Sequence, residues 1–353
     1  MSAVLVPPAD AAAAPRSRAS GGVWRAAALR FRSDRVGLTS LVIVIAFVLL
    51  VLAAALGLVA RDWQVERGVP DAPPGFLGAG AKQEAAAVAA PARPNVDISD
   101  VDPLAPRYAE WAEAAKRYKT LEVPKAETLP FGGDRLGRDV LAKATKGAQV
   151  SIFVGVTAAL LATAIGTLLG AVAGFFGGKA GDLLEWVYNV FTAIPTILLI
   201  FAFAAVFGRG IGSVVLILGL AGWPGIYRLV RAEFIKHAVR DYVRAAEAIG
   251  AGTLSRMFRH ILPNVSHVVL VQLSIHVVGF IKSEVILSYL GLGVGVDQVS
   301  WGTMLAEAQS ELILGHWWQL AAATLFMAVF VTAFSLMTDA LRDALDPKLR
   351  GLE

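Results

Sequence analysis

The sequence predicts an all-α, polytopic membrane protein with six transmembrane helices, and three observations carry that reading. Of 353 residues, 56% are hydrophobic and only 17% charged, far from the composition of a water-soluble domain. Six charge-free stretches are each long enough to cross the ~30 Å hydrocarbon core of a bilayer as a helix. Lys and Arg concentrate on alternate connections, as the cytoplasmic bias of basic loops requires.

Residues 1–35 read as a cytoplasmic tail whose Arg16, Arg18, Arg25, Arg30, Arg32 and Arg35 precede the first apolar run. That run, 36–60, holds 25 residues without a charge. It exceeds a signal-peptide apolar region and reads as a retained first transmembrane helix, although Ala53 to Ala55 could mimic a cleavage site. The other five spans are read at Gly147–Gly178, Trp186–Gly208, Gly210–Tyr227, Ile261–Ile281 and Leu312–Thr338. An even number puts both termini on one side, the cytoplasmic one. The connection from Arg228 to His260 then falls inside with seven Lys or Arg, and Lys282 to Glu311 falls outside with one Lys against four acids.

Residues 61–130 form an extracytoplasmic insertion, and 131–353 a five-helix core. The stretches PDAPPGFLGAG and AAAVAAPARP have the composition of a linker, and a helical patch follows at Tyr108 to Tyr118. The insertion is either a spacer or a lobe that touches an extracytoplasmic protein.

Within the spans, Gly166, Gly170 and Gly174 put three small residues on one helix face, where another backbone can come close. Pro195 and Pro224 each remove a backbone donor, so kinks are expected, serving gating or fixed shape. Trp63, Trp186, Trp223, Trp301, Trp317 and Trp318 fall near span ends, as interfacial anchors do. Ionisable residues near the membrane are His267, His276, Lys282, Glu284 and His316, with no acid mid-span, which argues against an ion-coupled carrier. His276 either faces a translocation path or packs through a hydrogen bond.

Cysteine is absent, which excludes disulfides and thiolate metal sites. The net charge of +4 flanks apolar spans instead of lining one soluble face, which disfavours nucleic-acid binding. The triplet Gly177-Gly178-Lys179 fails as a phosphate loop, because Ala173 stands where Gly is required and Ala180 where Ser or Thr would bind magnesium. No catalytic, cofactor or metal residue is expected in this chain.

Residues 240–264, RDYVRAAEAIGAGTLSRMFRHILPN, are a basic, helix-favouring island between two apolar spans. Ala245, Ala246 and Ile249 make a small apolar face, and Gly250 suits a sharp helix ending. Such a helix can lie across the membrane surface and press into a partner. With His260-Ile261-Leu262-Pro263 following Gly250 after nine intervening residues, the segment resembles the EAA loop of bacterial ATP-binding-cassette importer permeases. Gly132-Gly133-Asp134-Arg135-Leu136-Gly137-Arg138-Asp139-Val140-Leu141 is similar to the GTDxxGRDVL signature of the C-type permease of dipeptide, oligopeptide and nickel importers. LSYLGLG at Leu287 to Gly293, SWG at Ser300 to Gly302 and DALRDALDPKLRG at Asp339 to Gly351 resemble the same family. Gly133 departs from the usual Thr, and Arg244 stands where the wider loop pattern has Glu.

The resemblance implies a type I importer-like permease fold with a cytoplasmic coupling helix in the loop 228–264. It implies ATPase coupling through Tyr242, Arg244, Ala245, Ala246, Ile249, Gly250, Ala251, His260, Leu262 and Pro263, and a family signature at Gly132, Asp134, Gly137, Arg138 and Asp139. The implied partners are a second permease subunit in a heterodimer, two ATP-binding subunits that hold ATP and Mg, an extracytoplasmic substrate-binding protein, a peptide substrate and the lipid bilayer. The expected location is the bacterial inner membrane. An ATPase-independent ion-coupled carrier or a membrane scaffold is the alternative class.

Overall fold

A computed structural model describes residues 23–78, 102–115 and 124–345. Among the described residues all regular structure is helical, with a few isolated β-bridges in the outer lobe. Helix α1 (Val23–Ser33) leads into α2 (Arg35–Ala55), which Asp34 caps by accepting from the Val36 N–H at 2.9 Å. The first span ends at Ala55 and not at Ala60, because Gly57 at φ +70° and Ala60 at φ +53° turn the chain off the helix.

The outer segment corrects the linker reading. Trp63 and Ala72 are buried, Glu66, Gly68 and Pro74 bridge to Arg138, Ala126 and Leu129, and the Gly75 N–H donates to the Leu129 carbonyl at 2.8 Å. PDAPPGFL is thus a packed strap: its prolines hold an extended path and Ala72 fits beneath Gly133. The AAAVAAPARP stretch lies outside the described residues, as does Tyr118; the helical patch is α3 (Tyr108–Ala115).

Helix α4 (Val140–Phe176) is the central element, touching α2 and the helices at Gly178–Ala193, Ile211–Ala238, Leu262–Tyr289, Trp301–Ile313 and Trp318–Leu345. It starts seven residues before the apolar run does, because Asp139 caps it, accepting from the Leu141 N–H at 2.8 Å, and because Lys143 is neutralised internally. Gly166, Gly170 and Gly174 do pack a helix. A Cβ at each would lie 2.6, 2.7 and 2.6 Å from the carbonyl oxygens of Trp223, Tyr227 and Arg231, successive turns of the helix at Ile211–Ala238.

The third span is a pair of helices, α5 (Gly178–Ala193) and α6 (Thr196–Phe207), bent by 90° at the break, and not a single run from Trp186 to Gly208. Pro195 causes it: its ring excludes the helical ladder and pushes Ile194 into extended geometry, φ −93° and ψ 130°. Pro224, in contrast, sits inside α7 (Ile211–Ala238), which runs unbroken past the expected end at Tyr227. The residues from Arg228 to Ala238 are therefore helix, not loop.

After α8 (Asp241–Ala248), α9 covers Thr253–Tyr289 and includes a π-helical turn at Arg256–Ile261. Pro263 accounts for that turn, since it cannot donate to the Arg259 carbonyl and its ring crowds it, so the Leu262 N–H bonds back to Met257. Because α9 extends to Tyr289, Glu284 lies inside a span, fully buried, with Ser288 donating to it at 2.6 Å. Helix α10 (Trp301–Ile313) carries a capping box at Ser300 and Thr303, and Gly315 at φ +88° turns the chain into α11 (Trp318–Leu345). The sixth span accordingly begins at Trp318 and not Leu312. Among the described residues five helices are long and apolar enough to span singly, and the bent pair counted as one gives six.

Of the six tryptophans expected near span ends, Trp63, Trp223, Trp301 and Trp318 are core residues, not interfacial anchors. Trp301 donates its indole N–H to the Ala144 carbonyl at 3.2 Å, Trp318 donates to Gly133 at 2.6 Å, and Trp63 and Trp223 are likewise buried.

Candidate coupling site and outer signature loop

Helix α8 has two faces of opposite use. Val243 and Ala246, three residues apart, are both buried, and Val243 packs with Ala171, Ile226, Val230, Phe234, Met257, Ile261 and Val265. Tyr242, Ala245 and Ile249 fall on the outer face with Leu254 just beyond, Ile249 being 86% exposed. Ala246 is therefore buried where its neighbour Ala245 is exposed. The pairing of Val243 with Ala246 was the signal for this, since it is the stripe that continues into the core.

The helix ends as a Schellman motif. Gly250 at φ +88° lets its N–H reach the Glu247 carbonyl while the Ala251 N–H reaches Ala246, both at 2.9 Å. Nothing lies within 4 Å of a Cβ built at Gly250, so glycine is demanded by backbone conformation and not by space. Side chains then tie α8 to its neighbours. The Tyr242 hydroxyl lies 2.9 Å from His237 Nδ1 at the end of α7, and Glu247 pairs with Arg256 of α9 at 2.6 Å, whose guanidinium lies over the Phe175 ring of α4. Arg244 is exposed, Ala251 and His260 are half-buried, Leu262 packs against the inner cluster, and Pro263 is exposed at the π-turn.

The second constellation lies at the opposite end of α4. Asp134 accepts from the backbone N–H groups of Leu136 at 3.0 Å and Arg138 at 2.9 Å, from Arg138 Nε at 2.7 Å and from Lys143 Nζ at 2.7 Å. Gly137 at φ +78° closes this loop, donating to the Asp134 carbonyl at 2.8 Å, and Gly132 at φ +89° lies under the Trp318 indole. Asp139 is the helix cap. Burial raises the Asp134 carboxyl, but the Lys143 charge and the hydrogen bonds from Arg138 and Lys143 outweigh it and hold the group below the usual carboxylate range.

Lys143, Glu307 and Gln319 complete this node and escape a reading of the sequence. Besides Asp134, Lys143 Nζ donates to the Glu307 carboxylate and to Gln319 Oε1, the latter at 3.1 Å, partners 164 and 176 residues away in the chain. Glu311 sits beside it, accepting from the Arg135 N–H at 3.2 Å, and burial pushes its carboxyl up to about 7. The arrangement is a structural clamp that fixes the outer strap, α4, α10 and α11 to one another.

Residues 166–351, more than half of the chain, match the family described as the binding-protein-dependent transport system inner membrane component. The chain belongs to that family. The permease is 37% identical over 220 residues to the dipeptide transport system permease protein of Bacillus subtilis (strain 168), covering 62% of this chain and 69% of that one. It is 33% identical over 247 residues to the oligopeptide transport system permease protein of the same organism, covering 70% and 81%. It is 38% identical over 221 residues to the di/tripeptide transport system permease protein of Pseudomonas aeruginosa (strain UCBPP-PA14), covering 63% and 73%. Among solved structures, an inward-facing form of the MetNI methionine ABC transporter aligns with 58% of this chain and 96% of its own at a TM-score of 0.48 and 14% identity. The match of the family begins at Gly166 and so includes α8 and its Gly250 turn. The protein is a multi-span transport permease of the inner membrane.

Proposed function

We propose that the permease is one of two membrane subunits of an ATP-driven importer of di- or oligopeptides. A second permease subunit would supply the other half of the pathway, two ATP-binding subunits would hold ATP and Mg, and an extracytoplasmic binding protein would deliver the cargo. The observation that carries this reading is the division of α8 into an inward face, Val243 and Ala246, and a bare outward ridge of Tyr242, Ala245 and Ile249. A push on the ridge reaches α4, α7 and α9 through a close-packed cluster that cannot yield locally. Peptide is the favoured cargo because the similar permeases named above carry dipeptide, di/tripeptide or oligopeptide transport in their names.

In this orientation both termini and α8 are cytoplasmic, while the strap and the Asp134 node face outward. The test is co-expression with the candidate ATP-binding subunits. Co-purification of an ATPase, and ATP hydrolysis in proteoliposomes stimulated by peptide-loaded binding protein, are the expected results. An ATPase that never associates sinks the reading, and labelling of a Lys236→Cys variant by an impermeant thiol reagent from outside sinks the topology.

A further inference from the structure

Polar side chains at the middle of a span are costly against lipid and are normally turned toward protein or water. Near the middle of α9, Gln272 and His276 stand one turn apart with their Nε2 atoms 3.4 Å from each other, and Phe280, a turn further, stacks on the His276 ring with centroids 5.2 Å apart. Both polar side chains are partly exposed. The facing stretch of α7 is also at mid-span and is built to admit them. A Cβ at Gly225 would lie 3.8 Å from His276 Nε2 and 4.0 Å from Gln272 Nε2, and the Phe280 ring fills the place of a side chain at Gly222. Between these two glycines Pro224 removes the N–H that would otherwise engage the Leu220 carbonyl.

The rest of the subunit covers little of α9: 17% of its most apolar window is buried, against 50% for α7. Its uncovered surface is divided. Val271, Ile275 and Val278 follow one another at helical spacing as an apolar edge suited to lipid or to an apolar partner, whereas Gln272, His276 and Ser283 form the adjoining polar edge. A carboxamide and an imidazole offer donors and acceptors but no fixed charge, which matches a peptide bond and discriminates little between side chains. A permease supplied by a selective binding protein needs that kind of contact.

We infer that Gln272 and His276 form a mid-membrane contact for the peptide backbone of the cargo, where α9 crosses α7 at Pro224. This rests on the peptide reading given above.

The test uses the assembled transporter in proteoliposomes with radiolabelled trialanine. Gln272→Leu and His276→Phe should each raise the KM for uptake by about 3- to 10-fold, the size of one neutral hydrogen bond, with complex yield and peptide-independent ATP hydrolysis unchanged. Gln272→Asn and His276→Asn, which keep hydrogen-bonding groups, should recover part of the loss. Because the chain has no cysteine, a Gln272→Cys variant reports access directly: a water-soluble thiol reagent should reach it, and trialanine should protect it. An unchanged KM in both apolar variants, or a thiol reached only by a lipid-soluble maleimide, overturns the assignment. A wild-type transporter that moves no peptide overturns the cargo reading instead, and this contact with it.

Discussion

The ammonium of Lys143 lies 2.7 Å from a carboxylate oxygen of Asp134, with both side chains 1% exposed or less. The pair joins the loop that precedes α4 to the first turn of the helix itself. Through Glu307 and Gln319 it also reaches α10 and α11.

Removing one partner of this pair should be far worse than removing both. Lys143→Met leaves Asp134 buried with less compensation, a loss of about 3–5 kcal/mol for an orphaned buried charge. Thermal unfolding of the detergent-solubilised protein should show a large drop for that variant and for Asp134→Leu. The double variant should recover much of it. Equal stability of single variants and wild type would mean the node is not a clamp.

At Gly250 any β-branched residue must adopt φ near +88°, at roughly 1–2 kcal/mol of backbone strain. The span core does not depend on this residue, so Gly250→Val should insert and assemble normally. Uptake should nevertheless fall relative to ATP hydrolysis, because the end of α8 moves against its partner. Normal uptake at normal protein level would refute a docking role for this turn.

Ala245 and Ala246 are adjacent in sequence and opposite in environment. Ala246→Trp must force its ring into a buried position, and should reduce folded protein, overpacking costing about 1–3 kcal/mol. Ala245→Trp projects outward and should leave the isolated subunit as stable as wild type while weakening ATPase co-purification. Size-exclusion yield and pull-down separate the two effects.

Glu311 imposes a pH dependence on the outer node. Its carboxyl rises from 4.5 to about 7 on folding, so the protonated form is the one the fold favours. Stability should be full below pH 4.5 for this group and decline as pH rises through 7, by a total on the order of 1–3 kcal/mol. Glu311→Gln should remove the decline and unfold at a higher temperature than wild type at pH 8. Asp134 acts in the opposite sense and in another window: its depressed carboxyl contributes above pH 3.8, and that contribution is lost as pH falls below it.

Deletions in the outer segment should divide at the strap. Removing residues 70–78 strips Ala72, Pro74 and Gly75 from their partners at Gly133 and Leu129 and should lower the yield of folded protein. Removing residues 82–100, rich in Ala and Pro, should leave yield and melting temperature unchanged. Loss of membrane insertion in the second deletion would contradict this division.

Membrane residence, the helical class and the existence of α8 with its glycine ending were legible in the sequence. Each rests on local chemistry: uncharged runs exceed what a bilayer needs, and Gly250 relieves a backbone conformation that depends on neighbours in the chain. Pro195 likewise announced its break, since the missing N–H acts within one helical turn. Only the tertiary structure decided which residues the helices share. Charge-free runs marked span centres but not their ends, because Lys143 and Glu284 enter helices once distant or adjacent turns satisfy them. The linker-like PDAPPGFL became a packed strap, and tryptophans near span ends became core, through contacts that composition cannot encode. Ala245 and Ala246 make the point most plainly. Local spacing allows both on one surface, and the packing of Val243 against α7 and α9 chooses between them, because a helix buries whichever face meets an apolar neighbour.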